Sequence, residues 1–344
     1  MGLAILTNRE STILKSLIIN FVDHGVPIGS QFLSKIYHNR LSSARIRTIM
    51  VDLEGKGLVV QPYTSAGRIP TDLGYRYYVN DLMIVEKLTK IEKQQIDIDL
   101  QNVSEKDVEA ILKKSCEVLS KISNYLGVVL SPRFYLGVLE KIELVSLSDN
   151  KLMVIISITS GLVKTITLEM KTSIPVNKLE GTARILNERL SGLTLSQIRD
   201  TFEQRLADVS QGGEEELINQ LSESVAKIFS EENENIHVKG TQNILSYPEF
   251  VNQDKISKLL ELFDNQKILI GILNESTKED EKISITIGQE NKDELVCHCS
   301  LITAVYRIGD VTGTLGIIGP TRMKYEKVTG LVDYITQKIT DLFS

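Results

Sequence analysis

Apolar residues recur at helical spacing near the start of the chain. Ile13, Leu14, Leu17, Ile18, Phe21 and Val22 fall on one face of a run that Gly25 and Pro27 end. Ahead of it, Thr7-Asn8-Arg9-Glu10 has the spacing of a capping box. A second short helix is expected from Gly29-Ser30, burying Phe32, Leu33 and Ile36. A third starts at Ser42 as its N-cap, buries Ile46, Ile49, Met50 and Leu53, and is stopped by Gly55 and Gly57. The period then changes. Leu58-Val59-Val60-Gln61 reads as a strand ending at Pro62, Tyr63 to Gly67 as a five-residue turn, and Arg68-Ile69 as a returning edge strand that tolerates Pro70. Thr71 caps a fourth helix that buries Tyr75, Tyr78, Val79, Leu82 and Met83. Helix, helix, helix, hairpin, helix is the order of a winged helix-turn-helix.

Further on, Val108, Ile111, Leu112, Leu119, Ile122 and Leu126 predict an amphipathic helix from Ser104 to Leu126. Strands follow at Leu139 to Ser148, Leu152 to Thr159 and Leu162 to Met170. Asp149-Asn150 and Ser160-Gly161 mark the turns of an antiparallel meander. Helices at Asn177 to Leu190, Leu195 to Val209 and Glu214 to Glu231 complete a separate small domain. After His237 the pattern predicts a helix near Asp254 to Phe263. Strands are expected at Lys267 to Leu273, Ile283 to Ile287, Val296 to Ile308 and Val311 to Ile318. A closing helix, Lys324 to Phe343, has Val328, Leu331, Val332, Ile335, Ile339 and Leu342 as its stripe. Helix, antiparallel sheet and closing helix look like a GAF-type sensor domain.

The third helix carries the candidate chemistry. Its side facing away from the apolar stripe holds Ser43, Ala44, Arg47, Thr48 and Val51. Small residues there let a helix backbone approach a groove. Arg47 can give paired hydrogen bonds to guanine or grip phosphate, and Thr48 can reach a base edge or a thymine methyl. Arg45 stands near the N-terminal turn beside Ser42, where the helix dipole favours phosphate. Taken alone, two arginines on such a helix equally describe an ordinary solvated surface. The hairpin changes that balance. Its tip offers Thr64 and Ser65 with Arg68 beside them, suited to the DNA backbone or a narrow minor groove. Arg68 is therefore expected to contact phosphate and to contribute to the salt dependence of binding. Tyr75, Tyr77 and Tyr78 read as core and packing residues, not a stacking platform.

Charge adds direction. The 344 residues carry −6 overall, yet Met1 to Val85 holds nine Lys/Arg against six Asp/Glu, a net +3 that leaves −9 on the remainder. A polyanion would be drawn to the N-terminal end. A +3 patch is common, so charge supports the hairpin argument without deciding it. The length allows two or three cores. No apolar run is long enough to span a bilayer, and no secretory leader pattern opens the chain, so a cytoplasmic protein is expected. Three cysteines do not make a disulfide framework.

Catalytic chemistry is not expected. Cys297-His298-Cys299 lacks usual zinc-ligand spacing. Within a strand, Cys297 and Cys299 would share one face and His298 would point to the other, the pattern of core cysteines. The histidines are scattered (His24, His38, His237, His298), and no phosphate-cradling GxxxxGK loop occurs. Gly309 to Gly319 alternates with β-branched residues and reads as a hairpin. The chain is read as a non-enzyme with no metal or cofactor.

Four blocks of this sequence resemble the HrcA family of bacterial heat-inducible transcription repressors. They are Pro27-Ile28-Gly29-Ser30 with Leu33-Ser34, Ala44-Arg45-Ile46-Arg47 through Met50-Val51-Asp52-Leu53-Glu54, Gln61 through Asp72 with Gly74-Tyr75-Arg76-Tyr77-Tyr78-Val79, and Gly313 through Met323. Gly240 to Phe250 is a weaker fifth block. The resemblance implies an α+β fold: an N-terminal winged helix-turn-helix (residues 1–87) and a GAF-like domain (88–137 and 237–344) interrupted by a small α+β dimerisation insert (138–236). It further implies a homodimer that binds an inverted-repeat operator upstream of chaperone genes, modulated by the chaperonin GroEL. The chain departs from the family's usual residues at Ser43 (proline), Arg45 (threonine), Thr48 (asparagine), Ile49 (glutamate) and Tyr63 (histidine). The operator class can persist while individual contacts shift. Two other readings remain at this point: a regulator whose GAF-like domain binds a small molecule, and a GAF-fold enzyme using Cys297 or Cys299.

Overall fold

The computed structural model describes residues 5–38, 40–101, 103, 107–172, 176–209, 214–229, 235–277 and 281–343. The helix start expected at Ser104 and the helix end expected at Glu231 lie outside the described residues. The fold is α+β.

Helix α1 (Asn8–His24) begins at the expected capping box. The Thr7 amide donates to Glu10 Oε2 at 2.7 Å, and the Glu10 amide to Thr7 Oγ1 at 3.3 Å. Its end is Gly25, left-handed at φ 68°. Helix α2 (Ser30–Ile36) buries Ser30, Leu33 and Ser34. Phe32 and Ile36, expected inside, are exposed. With only two turns, the helix has room for one inward stripe, and the Ser34 hydroxyl, donating to Leu41 O at 2.8 Å, shows which stripe that is. Helix α3 (Ser43–Gly55) is capped by Ser42 Oγ, which accepts from the Arg45 amide at 3.3 Å, and buries Ile46, Ile49, Met50 and Leu53 as expected.

The hairpin is shorter than its apolar run suggested. Strands β1 (Val59–Val60) and β2 (Ile69–Pro70) pair antiparallel over two residues each. Arg68 leaves β1 and bridges Ile28 instead, exchanging both backbone bonds with it at 2.9 Å. Helix α4 (Asp72–Tyr77), capped by Thr71, runs on as a π turn to Leu82. Tyr75 and Tyr78 are buried, whereas Val79, Leu82 and Met83 are only partly so.

Helix α5 (Lys90–Gln101) was not anticipated, although Thr89 and Glu92 form a second capping box in front of it. Helix α6 (Val108–Ser123) stops at Asn124, left-handed at φ 60°. Leu126, expected to end its stripe, therefore opens strand β3 (Leu126–Leu130). Strands β4 (Leu139–Ser148), β5 (Lys151–Ile158) and β6 (Val163–Glu169) form the expected meander. Helices α7 (Val176–Leu190), α8 (Leu195–Leu206), α9 (Glu215–Glu223) and α10 (Val225–Ile228) follow. The Asn187 side chain caps the edge of β4, donating to Ile142 O at 2.8 Å and accepting from Ile142 N at 2.7 Å.

Then come β7 (Ile236–Lys239), α11 (Thr241–Leu245), α12 (Gln253–Asp264) and α13 (Gln266–Ser276). Helix α13 replaces the strand expected at Lys267 to Leu273. Asn265 caps it, and Leu269, Ile272 and Leu273 are buried at helical spacing that the short apolar run had concealed. The chain closes with β8 (Ser284–Ile287), β9 (Cys299–Ile308), β10 (Val311–Pro320) and α14 (Tyr325–Leu342). The five-stranded sheet has the order β7-β3-β10-β9-β8. Helix α6 lies so close to it that a Cβ on Gly127 would stand 2.7 Å from Cys116 O.

The chain clusters into two compact units. One contains the residues up to Val129 with Ile236–Val305 and Thr314–Gln337. The other contains Leu130–Asn235, Tyr306–Gly313 and the residues from Lys338 on. Within the first unit, charged groups and buried tyrosines join the N-terminal helices to the sheet's surroundings. Arg322, only 12% exposed, forms a two-pronged ion pair with Glu249 and donates to Val22 O, at the end of α1, at 3.1 Å. Arg76 is gripped by Glu290 and donates to Ile285 O at 2.6 Å. The Gln289 amide donates to Asp72 Oδ2 at 3.0 Å. Gly288 is required there, because φ is +54° and a Cβ would meet that carboxylate at 2.0 Å. Tyr78 donates to Glu326, whose carboxyl burial pushes above its ordinary pKa, and the Tyr75 and Tyr325 rings lie 5.8 Å apart.

Two outcomes test this joint. Arg322→Ala leaves Glu249 half-buried without its partner and is expected to cost about 3 kcal/mol in denaturant unfolding. Replacing both partners with apolar residues of similar size should recover most of the loss. Glu10 also binds Lys56 at 2.5 Å, and the Lys56 hydrogen bond, with that from the Thr7 amide, holds its pKa down to about 2 from 4.5. A depressed carboxylate stabilises fully above its unfolded pKa and loses that contribution as pH falls through the folded value. Glu10→Gln should therefore cost about 1 kcal/mol at pH 7, with the gap to wild type closing between about pH 4.5 and 2.

Candidate nucleic-acid interface

The surface of α3 is set by what it buries. Because Ile46, Ile49, Met50 and Leu53 are all inside, Ala44, Arg45, Arg47, Thr48 and Val51 are turned outward and exposed. Thr48 Oγ1 donates back to Ala44 O at 3.3 Å, which leaves its methyl and lone pairs toward solvent. Ser42 is exposed as the cap. Ser43 is half-buried and shares a hydrogen bond with the Ser30 hydroxyl at 3.1 Å, tying the start of α3 to the start of α2. These two serines thus have structural tasks as well as proximity to the surface.

Arg47, Thr64, Ser65 and Arg68 meet around one open groove of about 540 Å³, walled by α2, α3 and the hairpin loop. Arg45, Thr48, Ser42 and Ser43 are not among its lining residues; the first two stand outward on α3 beside it. Thr64 and Ser65 are exposed at the hairpin tip. Arg68 is different from expectation. Its guanidinium does not project from the tip but lies on Glu54, with Nε and Nη2 at 3.0 and 2.9 Å from one carboxylate oxygen.

Three contributors were not anticipated. Gln61 braces the loop from inside, its side-chain amide donating to Thr64 O at 2.8 Å and Ala66 O at 3.0 Å. Glu54 holds Arg68 and accepts from the Gln61 amide at 3.1 Å. Gly67 lets the loop pass the segment leading into α2, since a Cβ there would stand 2.3 Å from the Ile28 carbonyl. The Pro27-Ile28-Gly29 run was the available signal for that bridge, but no local period links it to residue 68. Of the departures from the family's usual residues, Ile49 is in the core, whereas Arg45, Thr48 and Tyr63 are exposed.

The cysteines form no comparable cluster. Cys299 opens β9 and is buried, its thiol pushed up to about 12 by desolvation and so held protonated. Cys297 and His298 lie in the turn before the strand, half-buried and exposed respectively, so the expected sharing of a strand face does not occur. Cys116 is likewise buried and pushed up to about 12, its thiol donating to Gly127 O at 3.2 Å. Among the described residues no group of three His, Cys, Asp or Glu is placed to hold a metal ion, and no helix is long and apolar enough to cross a membrane.

The profile of the family described as "HrcA protein C terminal domain" matches residues 109–329. The heat-inducible transcription repressor HrcA of Prosthecochloris aestuarii is 37% identical, covering 98% of this chain and 98% of that protein. That of Chlorobium luteolum is 36% identical over 100% and 99%, and that of Ruminiclostridium cellulolyticum 34% over 97% and 97%. A crystal structure of a hypothetical protein shares the fold at a TM-score of 0.59 and 22% identity, over 98% of this chain and 99% of that one. With well over half the chain matched by the family profile and nearly all of it by these relatives, the chain belongs to the HrcA family of heat-inducible transcription repressors.

Proposed function

We propose that this repressor binds duplex DNA with residues 1–87 acting as a winged helix-turn-helix. Helix α3 enters the major groove and the hairpin serves as the wing. One observation carries the reading: Arg47 on α3 and Thr64 and Ser65 on the hairpin face a single open groove. Helix and loop can therefore engage adjacent parts of one duplex. Arg45 and Thr48, outward on the same helix, extend the contact to base edges or phosphate, with Ser42 and Ser43 at the helix start. Because Arg45 and Thr48 are the two fully outward-facing departures on α3 from the family's usual residues, they are where operator preference would differ between members.

The operator in this reading is an inverted repeat upstream of chaperone genes, bound by a cytoplasmic homodimer whose two-fold axis matches the DNA's. The second compact unit, made mostly of Leu130–Asn235 with Tyr306–Gly313 and the residues from Lys338 on, supports assigning residues 138–236 as the dimerisation insert. The sheet with α6 and α14 supports a GAF-like assignment for residues 88–137 and 237–344. Modulation by GroEL rests on family membership. A repressor that needs the chaperonin to reach its binding form would lose occupancy when unfolded chains compete for it.

Footprinting on an inverted repeat from a chaperone promoter should show protection that GroEL enhances. Absence of protection with and without GroEL would sink the reading. Arg47→Ala is expected to weaken operator binding by about 1–3 kcal/mol and to relax preference at one position per half-site, read by competition with single-base operator variants.

A further inference from the structure

Glu54 occupies the last turn of α3, where the helix's unpaired carbonyls disfavour an acid, and that turn holds no basic residue. Local preference alone would not put a carboxylate there. Its partners come from the hairpin. Oε1 accepts from the Gln61 amide at 3.1 Å, and Oε2 from Arg68 Nε at 3.0 Å. Gln61 follows β1 and Arg68 precedes β2, so one carboxylate grips both limbs of the loop just where strand pairing stops. Arg68 is 14% exposed, and its backbone is already bound to Ile28. Gln61, held by Glu54 at its amide, uses its side chain to brace Thr64 and Ala66. The chain of contacts runs from the reading helix to the loop tip without interruption.

We propose that Glu54 is the positioning residue of the wing. It fixes the angle between the loop and α3, and it keeps the Arg68 guanidinium as an internal brace instead of a phosphate contact. This reverses the expectation for Arg68 drawn from the sequence, and it rests on the DNA-binding reading above. Two consequences separate it from a general structural role. Removing the carboxylate charge releases a cation toward DNA, so sequence-independent affinity should rise. Removing Arg68 should leave the number of phosphate contacts unchanged.

The test uses the full-length protein as wild type, Glu54→Gln, Arg68→Gln and the double variant. Amide exchange of residues 61–68 is measured without DNA. Affinities for operator and for unrelated duplex are measured across a range of salt. Glu54→Gln keeps the side chain's shape. It should speed loop exchange and steepen the salt slope on unrelated duplex by about one. Arg68→Gln should speed exchange equally with the slope at its wild-type value, and the double variant should exchange no faster than either single one. The ratio of operator to unrelated affinity should fall roughly two- to fivefold in each. If Arg68→Gln flattens the slope by about one while Glu54→Gln changes neither slope nor exchange, Arg68 touches phosphate and the proposal is overturned. Faster loop exchange in Glu54→Gln, in a protein whose wild type ignores duplex DNA, would uphold the positioning role and remove the DNA reading instead.

Discussion

A guanidinium removed from water must keep its partners, and Arg322 is the case on which the first unit is organised. It is satisfied only if three separate pieces of chain arrive together: the turn between β10 and α14, which carries it, the Glu249 turn, and the carbonyl end of α1. Gly25 belongs to the same requirement. Its left-handed conformation ends α1, and a Cβ there would stand 3.1 Å from the guanidinium. The second junction, Arg76 and Asp72 against Glu290 and the Gly288 turn, works the same way at the far end of the N-terminal helices. Charges with fixed geometry specify one arrangement more sharply than apolar area does, because a small displacement strands them unpaired. The outward face of α3 therefore has a defined orientation within this unit.

The same pairing changes what the formal charge means. Of the basic residues that make the N-terminal segment +3, Lys56 lies on Glu10, Arg68 on Glu54 and Arg76 on Glu290. These serve the fold. Arg45 and Arg47, by contrast, are exposed on α3. The formal count therefore overstates the cations left free in this segment, because three of its nine are bound to carboxylates.

Legibility in the sequence followed the range of the physics. Helices α1, α3 and α4 could be read to their caps, since Thr7, Ser42 and Thr71 act within three residues of their targets. The β4–β6 meander was equally clear, with its turn residues between alternating runs. The misses had nonlocal causes. Leu126 continues a helical stripe in sequence, yet the chain turns at Asn124 because β3 is wanted beside β10. Leu269, Ile272 and Leu273 sit in an apolar run too short for its period to be decisive. At the candidate interface, the exposure of Arg47, Thr64 and Ser65 was readable because it follows from α3's stripe and the hairpin's turn. Glu54 and Gln61 were not, because their roles depend on contacts across the loop.

The composition of the joint also bears on how a heat-inducible repressor can respond to heat. The cost of desolvating charged groups falls as temperature rises, because their hydration carries an unfavourable entropy. A junction built from Arg322–Glu249 and Arg76–Glu290 is thus not the part of the molecule that warming weakens first. Apolar stripes gain no comparable support, and conformational entropy opposes them increasingly. If melting of this joint were the sensor, its chemistry would be poorly chosen. A joint of this composition favours a response set elsewhere, by how often the chain reaches its folded form. The chaperonin modulation proposed above would act on that step.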